Sequence, residues 1–531
     1  MKLTTAGTYG LCLGLAAAAL TGCGSASNTS GKAAVVDGGT FTLGLTSDPG
    51  SLDPQLSAGS ALYTVTQFAY DPLVSVDGKT GEIQPELAKT WNVQGTTVTL
   101  TLAEGITCSD GAALTAKDVA DNLNFVADPK NKSPFLGAFL PGGTTAKGDN
   151  ATRVVTLTLA QPAPFVLNGL SGLPIVCPGG AANRDALKKS TVGSGPYKLV
   201  EAAPGDHYTY AIRDGYTWGP NGATTATEGL PKTVVFKVIP NETTAANLLL
   251  SGGLSAAQIA GPDADRLEKA GLFTAKTPAL VGEQWYNHGA GRPTADPKVR
   301  MALTQALDLG QLQKVLTSGQ GGPATTLAAN EPVACPGDSV SRSLPANDPK
   351  AAAALLDQAG WPAGPDGKRT KGGKPLALTF LYQNNNGSGG DAAAELAVQQ
   401  WKAIGVEATA HSQDETTLTG TIFGSGNWDV VWVSVNVSSP DQLVPFLSGP
   451  ASPQGNNFAA IADPDYDKAV QSATAIPGVA GCRDWLAAES GLIARASLVP
   501  FAGKVVRTFG KAAEFQTPGQ LIPTSIRMLA K

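Results

Sequence analysis

Hydrophobic and polar positions alternate along this chain in two different rhythms. A period of two runs through Gly39 to Leu45 and through Thr97 to Leu102, where threonines alternate with apolar residues as in a half-buried strand. A helical period takes over from about Lys298 to Ser318, with Val299, Leu303, Ala306 and Leu307 on one apolar stripe. Asp296 stands where an N-cap belongs, with Pro297 at the first helical position. Asp348-Pro349 repeats that device before a helix over Ala351 to Ala359, and Gly360 supplies its stop. Strand signals return at Leu376 to Tyr382, a helix at Ala392 to Ala403, and an apolar run at Val430 to Val435. The pattern predicts a mixed α/β chain without internal repeats.

The N-terminus follows a different logic. Lys2 is a short positive region, Leu11 to Leu20 is an apolar run, and Leu20-Thr21-Gly22-Cys23 follows at once. This order of charge, apolar run and small residues is an export signal, here residues 1–22. The run has about half the ~20 residues that a bilayer-spanning helix needs. Small residues beside Cys23 resemble a bacterial lipobox, which implies acylation of that cysteine and an extracytoplasmic, lipid-anchored chain. Residues 23–37 are mostly Gly, Ser, Ala, Asn and Thr, a composition that reads as a flexible tether.

Composition narrows the remainder. At 531 residues the chain exceeds what one core serves, so two or three units are expected. A net charge of −5 without basic runs argues against nucleic acid. Beyond Cys12 and Cys23, the cysteines Cys108, Cys177, Cys335 and Cys482 allow three pairings in an oxidising compartment. With no CxxC spacing and His207, His288 and His411 scattered, no metal site and no cofactor is expected. There is no GxSxG elbow, no HExxH and no Walker A, so enzyme activity is not expected.

A series of short blocks carries more. Ser51-Leu52-Asp53-Pro54, Tyr70-Asp71-Pro72-Leu73-Val74, and Pro85-Glu86-Leu87-Ala88 with Trp91 are followed by Ser109-Asp110-Gly111 and Leu114-Thr115-Ala116-Lys117-Asp118-Val119. Then come Gly193-Ser194-Gly195-Pro196-Tyr197, Val299-Arg300-Met301-Ala302, Ala306-Leu307-Asp308, Asp348-Pro349, Leu355-Leu356, Ala359-Gly360-Trp361 and Ile404-Gly405-Val406. In this order they resemble the dipeptide/oligopeptide/nickel class of extracellular solute-binding proteins of ABC importers. Most blocks have structural roles: Thr115 can cap the helix that follows it, and Gly193 and Gly195 let the chain turn beside Pro196.

The resemblance implies a two-lobed periplasmic-binding-protein-like α/β fold with an extra small domain and a ligand cleft between the lobes. It implies domain I at residues 38–67, 190–285 and 500–531, domain II at 68–189 and domain III at 286–499, with hinge crossings near Trp285 to Gly289 and Leu498 to Phe501. Pairing cysteines within these units gives Cys108 with Cys177 and Cys335 with Cys482. Implied partners are a small-molecule or peptide ligand, permease subunits and, through lipid, the membrane; the chain is expected to be a monomer. A sensor without a transporter is the alternative.

Ligand contacts follow from the same resemblance. Trp432 lies in the segment that reaches the ligand site, with Asn436 after it as a polar contact. Peptide binders carry an acid soon after that tryptophan to pair with the substrate ammonium, and none lies among Val433 to Val437 here, which weakens a free peptide as ligand. Trp285 and Tyr286 at the hinge crossing are ligand candidates, with core packing as the alternative. Tyr63 and Ser47 are weaker candidates from the first domain, and Asn384 to Asn386 read as a surface loop tip, with polar cleft contacts as the alternative. The cargo stays open among peptides, sugars, metal chelates and other polar solutes, with bare nickel disfavoured by the scarcity of histidine.

Overall fold

The computed structural model describes residues 34–476 and 478–530, so the export signal, Cys12 and Cys23 lie outside the described residues. Residues 34–36, expected within the tether, instead lie along the end of the chain: the Val36 amide donates to Met528 and the Ala530 amide to Ala34.

One large sheet of eleven strands organises the molecule. Thr40–Leu45 lies between Thr233–Val238 and Ala256–Ile259, parallel to both. His207–Ile212 and Tyr197–Ala203 complete that half in antiparallel fashion. In the other half Ala377–Gln383 lies between Glu407–Gln413 and Val430–Trp432, again parallel to both. Parallel neighbours need crossovers. Helix Glu242–Ser251 serves the first half and helix Gly387–Ala403 the second.

Two long antiparallel strands, Phe273–Tyr286 and Leu498–Gly510, join the halves. Their register runs from Phe273 opposite Gly510 to Trp285 opposite Leu498 and breaks between Leu280 and Glu283. Gly282 makes the close approach possible there, since a Cβ would come within 2.6 Å of the Ala502 Cβ. The irregularity thus lies a few residues before the expected crossing at Trp285 to Gly289.

A separate four-stranded sheet, Ala88–Gln94, Thr97–Leu102, Val154–Thr158 and Thr145–Asp149, packs under helix Ala116–Ala127. Val98, Leu100 and Leu102 point inward together, as their alternation predicts, against Val119, Leu123 and Val126. Thr115 caps the helix in a reciprocal box: its amide donates to Asp118 Oδ2 at 2.9 Å and its Oγ1 accepts from the Asp118 amide. Cys108 and Cys177 are bonded in this unit, and Cys335 bonds Cys482 in the other half of the molecule.

Several predicted elements change in extent. The helix expected from Lys298 to Ser318 is two helices, Pro297–Gln305 and Leu309–Leu316, because Asp308 leaves the helical path and caps the second by accepting from the Gln311 amide. Asp296 and Asp348 cap as expected. The apolar run at Val430 stops as a strand at Trp432. Gly193 and Gly195 serve contact more than turning: a Cβ on Gly195 would fall 2.5 Å from the Ala69 carbonyl carbon, and one on Gly193 2.2 Å from the Ala69 oxygen.

Candidate functional site

A cavity of about 590 Å³ opens where the first half of the large sheet, the small unit and the second half meet. That volume lies inside the ~300–1,000 Å³ range of small-molecule pockets. Tyr63 and Gln67 enter it from helix Ser60–Thr66 and the residue that follows it, and Gln84 and Glu86 from the short strand Ile83–Pro85 and its end. Asn168 and Ser171 come from helix Val166–Ser171, Asn330 and Asn436 to Ser438 from the second half, and residues 516–527 close one side.

Contacts across the molecule hold these walls together. The Ser60 amide at the start of its helix donates to Glu415 Oε1 of the opposing half at 2.8 Å. Asn456 Nδ2 donates to the Pro134 carbonyl at 3.0 Å. Phe165 of the small unit packs with Cys335, Cys482 and Trp485 of the second half. Burial and the nearby Glu415 carboxylate push the Tyr63 phenol well above its usual range, so it remains a neutral donor in the wall.

Asn436 is fixed by the strand that joins the halves. Its Oδ1 accepts from the Leu280 amide at 2.9 Å and its Nδ2 donates to the Leu280 carbonyl at 3.0 Å. Glu283 anchors the same segment, its Oε2 accepting from the Val435 amide at 2.9 Å. Burial first, and then the Glu489 charge, push the Glu283 carboxyl up to about 8.

The structure places the sequence-predicted residues unevenly. Tyr63 and Asn436 line the cavity. Trp432, expected to face ligand, is enclosed: its indole donates to Gln284 Oε1 at 2.9 Å, and its ring packs on Phe380 and Phe501. Trp285 and Tyr286 have no exposed surface, with the Trp285 indole donating to the Val433 carbonyl and the Tyr286 hydroxyl meeting Thr304. Their side chains fill the core on opposite faces of one strand, so the packing alternative describes their place. Ser47 lies half-buried beyond the end of Thr40–Leu45, away from the cavity. Asn384–Asn386 forms a short turn whose first two residues are exposed.

Glu86 was legible merely as part of a scaffold block, yet it lines the cavity at 7% exposure. Residues 516–527 carried no periodic signal at all. Among the described residues no cluster of three or more His, Cys, Asp or Glu could hold a metal, and no helix is long and apolar enough to cross a membrane.

Residues 82–457 match the family described as bacterial extracellular solute-binding proteins, family 5, middle region. The chain belongs to that family. Family 5 relatives agree over most of its length. It is 27% identical over 510 residues to the periplasmic murein peptide-binding protein MppA of Escherichia coli, covering 89% of each chain. A substrate-binding protein from Microbacterium hydrocarbonoxydans complexed with 4-hydroxybenzoate hydrazide shares its fold at TM-score 0.80 and 26% identity, over 92% of this chain and 99% of that one. The oligopeptide-binding protein AppA of Bacillus subtilis, complexed with a nonapeptide, superposes at TM-score 0.79 with 19% identity, over 94% of this chain and all of its own. These neighbours share the two-lobed family 5 architecture.

Proposed function

We propose that this chain is the receptor of an ABC importer, capturing a peptide-like or other small polar solute in the cavity between its lobes and passing it to membrane permease subunits. The observation that carries this reading is that three separate parts of the fold wall one cavity while, among the described residues, two long strands join the large halves. Residues 38–67 with 190–285 and 500–531, 68–189, and 286–499 would then be the bodies that open and close. The contacts of Glu415, Asn456 and Phe165 belong to the closed arrangement. Apparent affinity is the intrinsic affinity of the cavity reduced by the cost of reaching that arrangement.

Relatives bound to a nonapeptide and to an aromatic hydrazide support solute capture and leave its class to the walls of this cavity. Tyr63 and Asn436 contact the solute in this reading, and the chain performs no chemistry. Deleting the chain from its cell should abolish uptake of whichever solute co-purifies with it. Unchanged uptake would sink delivery to a permease while leaving capture intact.

The lipobox resemblance supports a chain held outside the cell membrane by lipid on Cys23. Two acyl chains give stable attachment where one is marginal. Cys23→Ala is expected to move the protein from the membrane fraction to the medium or to block its maturation. Fractionation like the wild type would contradict the anchor.

A further inference from the structure

We propose that Glu86 selects a cationic amine on the captured solute, a specificity that rests on reading the interlobe cavity as the solute site. Glu86 is more than nine-tenths buried, lines the cavity, and has no cationic partner among the described residues. Ser75 lies beside it in the same wall, its buried hydroxyl close enough to act on the Glu86 carboxyl. A buried carboxylate without a counter-charge is costly, and an incoming ammonium relieves that cost by forming a charge-assisted hydrogen bond.

The neighbouring acid cannot serve in its place. Asp71 accepts from the Ser194 hydroxyl, the Tyr216 hydroxyl and the Trp218 indole, each at 2.9 Å; burial pushes its carboxyl above the usual range, against these bonds and the nearby Arg213 guanidinium. Its oxygens are therefore engaged within the protein. The opposite wall offers the neutral Asn436, whose amide is bound to Leu280 at both ends. Formal charges along the whole cavity are Asp77, Glu86 and Glu331 against Arg527 alone. Asp77 is held by the Lys79 and Thr80 amides and the Gln84 side chain, and Arg527 by the Thr524 and Ile526 carbonyls. The acidic surplus and the unpaired Glu86 favour a cation.

Burial, and then the Asp71 charge, push the Glu86 carboxyl well above its usual range. The ionisable groups in contact with this corner are Asp71, Tyr216 and, behind them, Arg213.

The test is calorimetry on the ligand-stripped mature chain with trialanine and N-acetyltrialanine, using wild type and Glu86→Gln. Wild type should bind trialanine at least about tenfold more tightly than its acetylated form, a ratio worth ~1.4 kcal/mol. Glu86→Gln should bring the two within about twofold, chiefly by weakening trialanine. Gln keeps the shape of the side chain, and a matching thermal midpoint verifies the fold. Equal binding of the two probes by wild type, a preference that survives in Glu86→Gln, or failure of both to bind overturns the proposal. If another solute still co-purifies, capture stands and the amine fails; if none does, capture fails with it.

Discussion

Trp432 illustrates how far a single residue type can be read. A tryptophan in an apolar run fits a ligand platform and a core residue equally well, because both need a large apolar face and a partner for the indole N–H. The structure gives that partner as Gln284 and the faces as Phe380 and Phe501. Trp432→Ala is therefore expected to cost about 3–5 kcal/mol of stability. Urea unfolding measures it, and a loss below ~1 kcal/mol would return Trp432 to an exposed role. Glu283 and Glu489 make a second prediction at this scale. Burial pushes their carboxyls up to about 8 and about 7, far above the unfolded range. A carboxyl raised on folding holds a proton in the native state that the unfolded chain has released, so its contribution falls as pH rises. Unfolding free energy should fall by up to about 1.4 kcal/mol per pH unit for each such group, from about pH 5 to 8 for Glu283 and to 7 for Glu489. Glu283→Gln should flatten that dependence; a slope unchanged in the variant would contradict the burial assignment. Neither carboxyl was legible in the sequence, since burial of a lone acid is decided by distant segments.

Elements were more legible than sites because their signals are local. Caps at Thr115, Asp296 and Asp348 lie where a hydroxyl or carboxylate precedes a helical stripe, and each accepts the backbone bonds its position predicts. Thr115→Ala should cost about 1–2 kcal/mol, read as a shift in denaturant midpoint without a change in slope. A shift below ~0.3 kcal/mol would mean that Asp118 carries the helix start alone. The stripe from Val299 to Leu307 concealed a break because Leu309 and Leu312 continue an apolar pattern past Asp308, the residue that ends one helix and caps the next. Gly195 shows the opposite limit. Its need for space comes from the Ala69 backbone more than a hundred residues away, and no local pattern encodes such a contact. The cavity walls share that origin, with Glu86, Asn168, Asn330 and Gln516 brought together from separate parts of the chain.

Across the whole molecule, the disulfides brace bodies on either side of the cavity and leave the joining strands free. The bridges span sequence separations of 69 and 147 residues. In the chain-entropy account each stabilises by about 4–5 kcal/mol before any strain in the native state is discounted. Reduction should lower the unfolding midpoint markedly yet leave solute affinity nearly unchanged. Loss of affinity in the folded, reduced protein would show that the bridges shape the cavity as well. Phe165 joins the small unit to the second half, and Phe165→Ala is expected to weaken capture by destabilising the closed arrangement. Every account of the solute depends on one premise, that the interlobe cavity is occupied in the working protein. Native mass spectrometry of the exported chain, purified without denaturation, decides it: one small polar solute per chain, released on unfolding, is expected, and a folded chain that shows its bare mass from every growth medium would overturn the premise.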